Sequence, residues 1–311
     1  MKVMEGVVVY SVGKNYYVFA ENKTYPCVLR GKLKLEFHYS TNPIAVGDIV
    51  KFEWDEARSI GVITEVADRR NAIVRRATNE SKFIHVMAAN IDLACLIVTP
   101  FLPYTSTGFI DRFLISAEAY NIPAMLIFNK YDLYKNDMSL VEAYIEIYHE
   151  YAGYPYLLVS ATERYQMDKL EEMVKNKTVL MAGHSGVGKS SLINALEPSL
   201  NLKVGEISRK HLKGKHTTTF TQLHILKNGA RIIDTPGIKE FGIVNFEPWE
   251  LGHWYREFKP YIEECAYNNC THYHEPGCAV KQAVEEGKIH PERYENYLKI
   301  LQNIEESETI D

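Results

Sequence analysis

Nowhere in the 311 residues is there a run of 18 or more apolar side chains, so the sequence offers no membrane-spanning helix. The opening residues, Met1-Lys2-Val3-Met4-Glu5, lack the apolar stretch of an export signal, and the expectation is a cytoplasmic protein with no membrane partner. Positive charge is not in excess: 35 Lys and Arg stand against 40 Asp and Glu, a net charge of −5. That excludes a nucleic-acid binder working by bulk charge, so any RNA contact must come from a local patch. Charged residues at 24% and hydrophobic ones at 46% exclude a disordered chain. Cysteines number five; Cys27 and Cys95 stand alone in strand-like runs and read as small buried hydrophobes. There is no internal repeat, no low-complexity segment and no H-E-x-x-H sequence, so hydrolysis on a catalytic zinc has no support.

What is present divides into three stretches. Residues 1–72 are β-rich, with short β-branched and aromatic runs at Gly6–Tyr10, Tyr16–Ala20, Thr24–Leu29, Gly47–Trp54 and Ser59–Val66, parted by Gly, Asn and Lys turns. Five strands in about 70 residues suit a small barrel such as an OB-fold. Within residues 1–76, 12 Lys and Arg face 9 Asp and Glu, and Arg69-Arg70 and Arg75-Arg76 close the stretch, a local reversal of the overall sign. From 73 to 242 apolar runs alternate with helical patterns, as in a parallel α/β sheet. The expected strands are Leu93–Thr99, Ala124–Phe128, Tyr156–Ser160, Thr178–Ala182, Thr221–Leu226 and Arg231–Asp234, and the expected helices Phe109–Tyr120, Leu140–Tyr151, Met167–Lys175 and Lys189–Leu196. Residues 243–311 turn helical and aromatic, with a final helix expected from Pro291 to Glu306, Pro in its first turn.

Gly183-His184-Ser185-Gly186-Val187-Gly188-Lys189-Ser190 fits the P-loop pattern G-x-x-x-x-G-K-[ST], between a strand and a helix as the motif requires. Glycines let backbone N–H groups and a helix N-terminus close on phosphate oxygens. Lys189 would reach the β- and γ-phosphates and Ser190 would ligate Mg²⁺. Asp234-Thr235-Pro236-Gly237 ends an apolar strand, which puts Asp234 on the magnesium side and lets the Gly237 N–H sense the γ-phosphate. Asn129-Lys130-Tyr131-Asp132 ends another strand in the N-K-x-D pattern of GTPases; the carboxylate accepts two N–H bonds from guanine that adenine cannot supply. Ser160-Ala161-Thr162 is the usual backing loop for that base.

Near the C-terminus, Cys265, Cys270 and Cys278 with His272 or His274 supply three thiolates and an imidazole, a full tetrahedral set for structural zinc with no open position for chemistry.

The order of the nucleotide motifs is circularly permuted. The base-reading loops at 129 and 160 precede the P-loop at 183 and D-x-x-G at 234, whereas ordinary small GTPases begin with the P-loop. On these motifs the whole chain resembles the ribosome small-subunit-dependent, circularly permuted GTPases, the RsgA/YjeQ family. The resemblance implies an OB-fold meeting 16S rRNA, a permuted GTPase core and a zinc-binding C-terminal domain. It implies GTP hydrolysis stimulated by the small ribosomal subunit, a role in late 30S maturation with release on hydrolysis, and a monomer. It extends the nucleotide segment to Gly183–Ser191, favours His272 over His274, and matches Lys215-His216-Thr217-Thr218-Thr219 to the family's switch segment. There a Thr hydroxyl closes on Mg²⁺, Thr218 by preference and Thr219 as the alternative. Where Ras-like enzymes carry a water-orienting Gln after D-x-x-G, this chain has Ile238, and His216 beside the switch threonines becomes the candidate catalytic group with Lys189. The rival function is a GTP-sensing RNA-binding module whose hydrolysis is incidental; single-turnover hydrolysis with and without 30S subunits separates the two.

Overall fold

The computed structural model describes residues 2–31, 43–76, 84–203, 221–234 and 247–308. Its first five strands are β1 (Lys2–Val12), β2 (Asn15–Ala20), β3 (Lys23–Leu29), β4 (Ile49–Asp55) and β5 (Ile60–Val66). They close a barrel in the order β1-β2-β3-β5-β4, with β3 and β5 parallel and the other pairs antiparallel, the topology expected of an OB-fold. Period-2 alternation gives each strand two faces. Val8, Val18, Cys27, Val50, Phe52 and Ile63 fill the barrel, while Val7 and Val9 turn outward and pack with Leu223 and Ile233 of the central domain. Cys27 is buried as expected of a small hydrophobe, and burial pushes its thiol up to about 12. The same holds for Cys95.

β6 (Ala72–Arg76) and β7 (Ile84–Ala89) pair antiparallel as a separate ribbon after the barrel. The sequence reading contains neither strand: it puts a domain boundary at 72/73, and no Gly or Pro stands between the two. Arg69 and Arg70, read in sequence as part of a basic edge, are held in ion pairs. Arg69 forks onto the buried Asp48 at 2.7 Å through both Nε and Nη2, and Arg70 reaches Asp92 at 2.8 Å.

The central sheet combines β8 (Leu93–Val98), β9 (Ala124–Phe128), β10 (Tyr156–Leu158), β11 (Thr178–Ala182), β12 (Gln222–Ile225) and β13 (Arg231–Asp234), ordered β10-β9-β8-β11-β13-β12. β8–β11 and β13 are mutually parallel. β12 is not: it runs antiparallel to β13, because the loop over Lys227–Ala230 reverses the chain, with Gly229 at φ +83°. Helices α1 (Thr107–Ala119), α2 (Tyr131–Tyr134) and α3 (Ser139–Ile145) follow β8 and β9, while α4 (Met167–Val174) and α5 (Lys189–Leu196) follow β10 and β11. The expected helix to Tyr151 finishes as a π-helical turn over Glu146–Tyr151. α1 and α3 cover one face of the sheet, α4 and α5 the other.

Beyond Glu247 come a 3-10 segment (Pro248–Trp254), α6 (Lys259–Ile262), α7 (Ala279–Glu285) and α8 (Pro291–Glu308). Ile115 on α1 joins Leu251, Tyr255, Phe258 and Leu301 in one core, so α1 is buried on both sides. The bolt across this junction is ionic. Arg293, fully buried, pairs with Asp111 of α1 and donates from Nε to Glu257 at 2.5 Å. Its guanidinium also lies 4.4 Å from the Tyr255 ring centroid. Among the described residues, no helix is long and apolar enough to cross a membrane.

Candidate nucleotide and metal sites

Parallel strands present their carboxyl ends on one edge of the sheet, and ligands of such sheets bind there. Asn129 follows β9, Ser160 lies just beyond β10, Gly183 follows β11, and Asp234 is the last residue of β13. Four motifs scattered over about a hundred residues of sequence are thereby brought to one edge.

The P-loop turns tightly between β11 and α5, with Gly183, Gly186 and Gly188 at φ +152°, +88° and +93°. At Gly188 only glycine fits for a second reason: a Cβ there would stand 2.3 Å from Asn129 Nδ2. Asn129 is 2% exposed and donates from Nδ2 to the Val187 carbonyl at 2.8 Å, tying the N-K-x-D loop to the P-loop. Among the described residues its Oδ1 is buried with no hydrogen-bond partner, and an orphaned acceptor of this kind fits a site shaped for a ligand. Lys189 and Ser190 open α5, with Ser191 next, at the anion-attracting end of the helix. Lys189 Nζ lies 3.5 Å from Asp234 Oδ1, which sets the phosphate-seeking cation beside a carboxylate suited to magnesium. Ser185 is exposed, Val187 is buried, and His184 turns sideways to stack on Phe109 of α1, ring centroids 3.8 Å apart. Burial lowers the His184 pKa.

In the N-K-x-D loop, Lys130 takes a left-handed conformation (φ +64°) and its Nζ donates to the Leu102 carbonyl at 2.5 Å. Burial lowers its pKa, with Asp132 opposing. Asp132 sits in α2 and its Oδ1 accepts from Ser160 Oγ at 2.5 Å; Ser160 is fully buried and Ala161 half-buried beside it. His216, Thr218, Thr219 and Gly237 lie outside the described residues, as do the whole Lys215–Thr219 segment and Ile238.

Cys265, Cys270, His272 and Cys278 come together, their ligand atoms all within 4.8 Å of one another. Cys265 and Cys278 Sγ are 3.9 Å apart, and His272 Nδ1 lies 3.7 and 3.4 Å from them. Bonds of about 2.3 Å to sulfur and 2.0 Å to nitrogen at tetrahedral angles require S–S edges near 3.8 Å and S–N edges near 3.5 Å. The cluster therefore fits zinc. The ring uses Nδ1 because its other edge abuts Gly252, where a Cβ would be 2.7 Å from Nε2. His274 is exposed and outside this group. Burial pulls His272 down to about 4, keeping the imidazole neutral as a ligand must be, and pushes the Cys270 thiol up to about 12. Tyr294 and Tyr297 of α8 donate to the His272 and Thr271 carbonyls at 2.7 and 2.6 Å, pinning the ligand loop to the helix that carries Arg293.

Sequence reasoning missed the Asn129–Val187 tie, the Arg293 bolt and the Phe109–His184 stack. The last two join residues with no shared motif; the tie alone had a signal, the Asn of N-K-x-D.

Comparison with known proteins converges on one family. The model described as RsgA GTPase matches residues 66–244, and the RsgA N-terminal domain matches residues 5–63. A protein of Flavobacterium johnsoniae named small ribosomal subunit biogenesis GTPase RsgA is 47% identical over 99% of this chain and 96% of its own length. A protein of Phocaeicola vulgatus with the same name is 48% identical over 97% and 98%. Among solved structures, YjeQ from Thermotoga maritima superposes with a TM-score of 0.77 at 36% identity, covering 97% of this chain and 98% of its own. YloQ, titled a circularly permuted GTPase, gives 0.72 at 28%, covering 98% and 96%.

Proposed function

This chain belongs to the RsgA GTPase family and is a GTP-hydrolysing enzyme, and we propose that it acts as a late assembly factor of the small ribosomal subunit. It binds the 30S particle and its 16S rRNA in the GTP state, hydrolyses GTP under the particle's stimulation, and leaves with GDP. It works as a monomer in the cytoplasm.

The observation that supports this reading best is the Asn129–Val187 hydrogen bond, which joins the N-K-x-D loop to the P-loop on one sheet edge. In this reading Asp132, backed by Ser160 and Ala161, takes the guanine N–H groups, while Lys130 supports the base. Backbone N–H groups of Gly183–Ser191 and the Lys189 ammonium hold the phosphates. Ser190, Asp234 and Thr218 would hold Mg²⁺, which when bound would neutralise the charge that gathers on the phosphate oxygens. The Gly237 N–H senses the γ-phosphate. His216 orients the attacking water, since Ile238 has no polar side chain to do so. Zinc on Cys265, Cys270, His272 and Cys278 is structural, and the segment it braces is bolted to α1 through Arg293. RNA contact is assigned to the barrel and its basic edge, including Arg75 and Arg76.

Co-sedimentation with purified 30S subunits tests the proposal. Binding should be strong with a non-hydrolysable GTP analogue and weak with GDP, and should weaken as salt rises. Equal pelleting in both nucleotide states would sink the release step.

A further inference from the structure

Behind Asp132, two tyrosines join the loops that frame the base site. Tyr131 of α2 and Tyr165 stack nearly parallel, centroids 4.3 Å apart at an interplanar angle of 15°. We propose that Tyr165, through this stack, is a positioning residue that sets how strongly the site prefers guanine over hypoxanthine. The inference rests on the assignment of Asp132 as the base-reading carboxylate.

The two loops form a closed ring of contacts. Tyr131 N donates to the Val159 carbonyl at 3.0 Å, and the next residue, Asp132, accepts from Ser160 Oγ at 2.5 Å. That same hydroxyl accepts from Glu163 N at 3.0 Å, and Ser160 N donates to the Tyr165 carbonyl at 3.2 Å. The Tyr165 ring then returns to Tyr131. On the outer rim Lys135 pairs with Glu163 at 2.8 Å, where solvent leaves such a pair little strength. Between Ser160 and α4 the chain turns through Arg164 and Gln166, both non-glycine residues in left-handed conformations, φ +55° and +51°. Backbone of that kind persists only where its surroundings hold it, and the Tyr165 ring lies between those two residues. The hydroxyl of Tyr165 accepts from the adjacent Gln166 Nε2 at 3.0 Å in a solvent-exposed bond, so the ring face, not the hydroxyl, closes the clasp.

Ser160 has two tasks in this ring: it holds Asp132 and is itself held by the 163–165 turn. Release of the turn therefore frees the carboxylate that reads the base. Guanine offers a ring N–H and an exocyclic amine, and hypoxanthine lacks the amine. Discrimination between them depends on the carboxylate being aimed at both donors at once, so a looser Asp132 keeps part of its affinity but loses selectivity first. Chemistry at the γ-phosphate lies at the far end of the nucleotide and does not depend on this aim.

The test measures GDP and IDP affinities and saturated GTP turnover for Tyr165→Ala and Tyr165→Phe in the full chain. Loss of one aromatic pair should weaken GDP about three- to tenfold. IDP should weaken less, so that the GDP/IDP ratio falls at least about threefold while kcat stays within about twofold. Phe should restore the ratio. Tyr131→Leu breaks the stack from the other side and should match Tyr165→Ala, which guards against a folding defect peculiar to one position. Asp132→Asn, which should shift preference towards xanthosine diphosphate, reports on the base site alone. If Asp132→Asn shifts the preference and Tyr165→Ala keeps the wild-type ratio, the clasp is refuted and the base site stands. If Asp132→Asn gains no xanthine preference, the base site falls and the clasp with it.

Discussion

Replacement of Gly188 by alanine tests the built geometry of the phosphate loop. Two costs add at this position. A Cβ at φ +93° forces an L-residue into left-handed backbone, about 1–2 kcal/mol. The same Cβ would stand 2.3 Å from Asn129 Nδ2, so the amide must swing off the Val187 carbonyl. Asn129 is 2% exposed and finds no water when displaced, which adds about 1–2 kcal/mol for the lost bond and its buried remnant. The empty loop relaxes to shed this strain, and nucleotide binding has to restore it. A total of about 2–4 kcal/mol corresponds to a roughly 30- to 900-fold loss of GDP affinity. The assay is titration with a fluorescent GDP analogue. Gly153→Ala is the control, since Gly153 also has positive φ (+70°) but no atom within 4 Å of a built Cβ. It should cost about 1 kcal/mol of stability and leave GDP affinity within about twofold. GDP binding by Gly188→Ala within threefold of wild type would show that neither the backbone at 188 nor the Asn129 amide constrains the loop.

Cys270→Ser should lose stoichiometric zinc by elemental analysis and destabilise the C-terminal region, with GDP affinity kept within a few-fold. Arg293→Met leaves Asp111 and Glu257 buried without a counter-charge and should cost about 3–5 kcal/mol in denaturant unfolding at neutral pH. Burial already raises the Asp111 pKa from 3.8 and Arg293 opposes that rise. A raised carboxyl weakens the fold as pH climbs above 3.8, so the variant's deficit should shrink on acidification towards 3.8; a deficit that grows would contradict the assignment. His216→Ala should lower the 30S-stimulated single-turnover rate at least about tenfold with GTP affinity within a few-fold. An unchanged stimulated rate would move the water-orienting group to the ribosome.

The nucleotide site was legible because its signals are local. Gly183–Ser190 announces a strand, a tight turn and a helix within a dozen residues, and β11 and α5 stand where that pattern puts them. The barrel strands were legible for the same reason, since alternation in Tyr16–Ala20 or Ile49–Asp55 needs no partner to be read. β6 and β7 were not: Ala72–Arg76 is a five-residue strand, and the residues between the two strands contain neither Gly nor Pro. The antiparallel β12 does have a local signal, Asn228-Gly229 between two apolar runs, the dipeptide of a tight hairpin. What no local pattern reports is long-range pairing. Asp111 and Arg293 lie 182 positions apart, and each alone reads as a surface charge on an amphipathic helix. Tyr131 and Tyr165 likewise become a pair only once β9 and β10 lie side by side.

The proposed control of GTP hydrolysis by the small ribosomal subunit acts through this sheet edge. Its most direct test is single-turnover hydrolysis of GTP and of ATP by the intact chain, each with and without saturating 30S subunits, with Lys189→Ala alongside. Expected are slow GTP hydrolysis by the protein alone, a large acceleration by 30S subunits, little activity on ATP, and loss of the accelerated rate in the lysine variant. A GTPase rate that 30S subunits leave unchanged, or equal turnover of ATP, would contradict it.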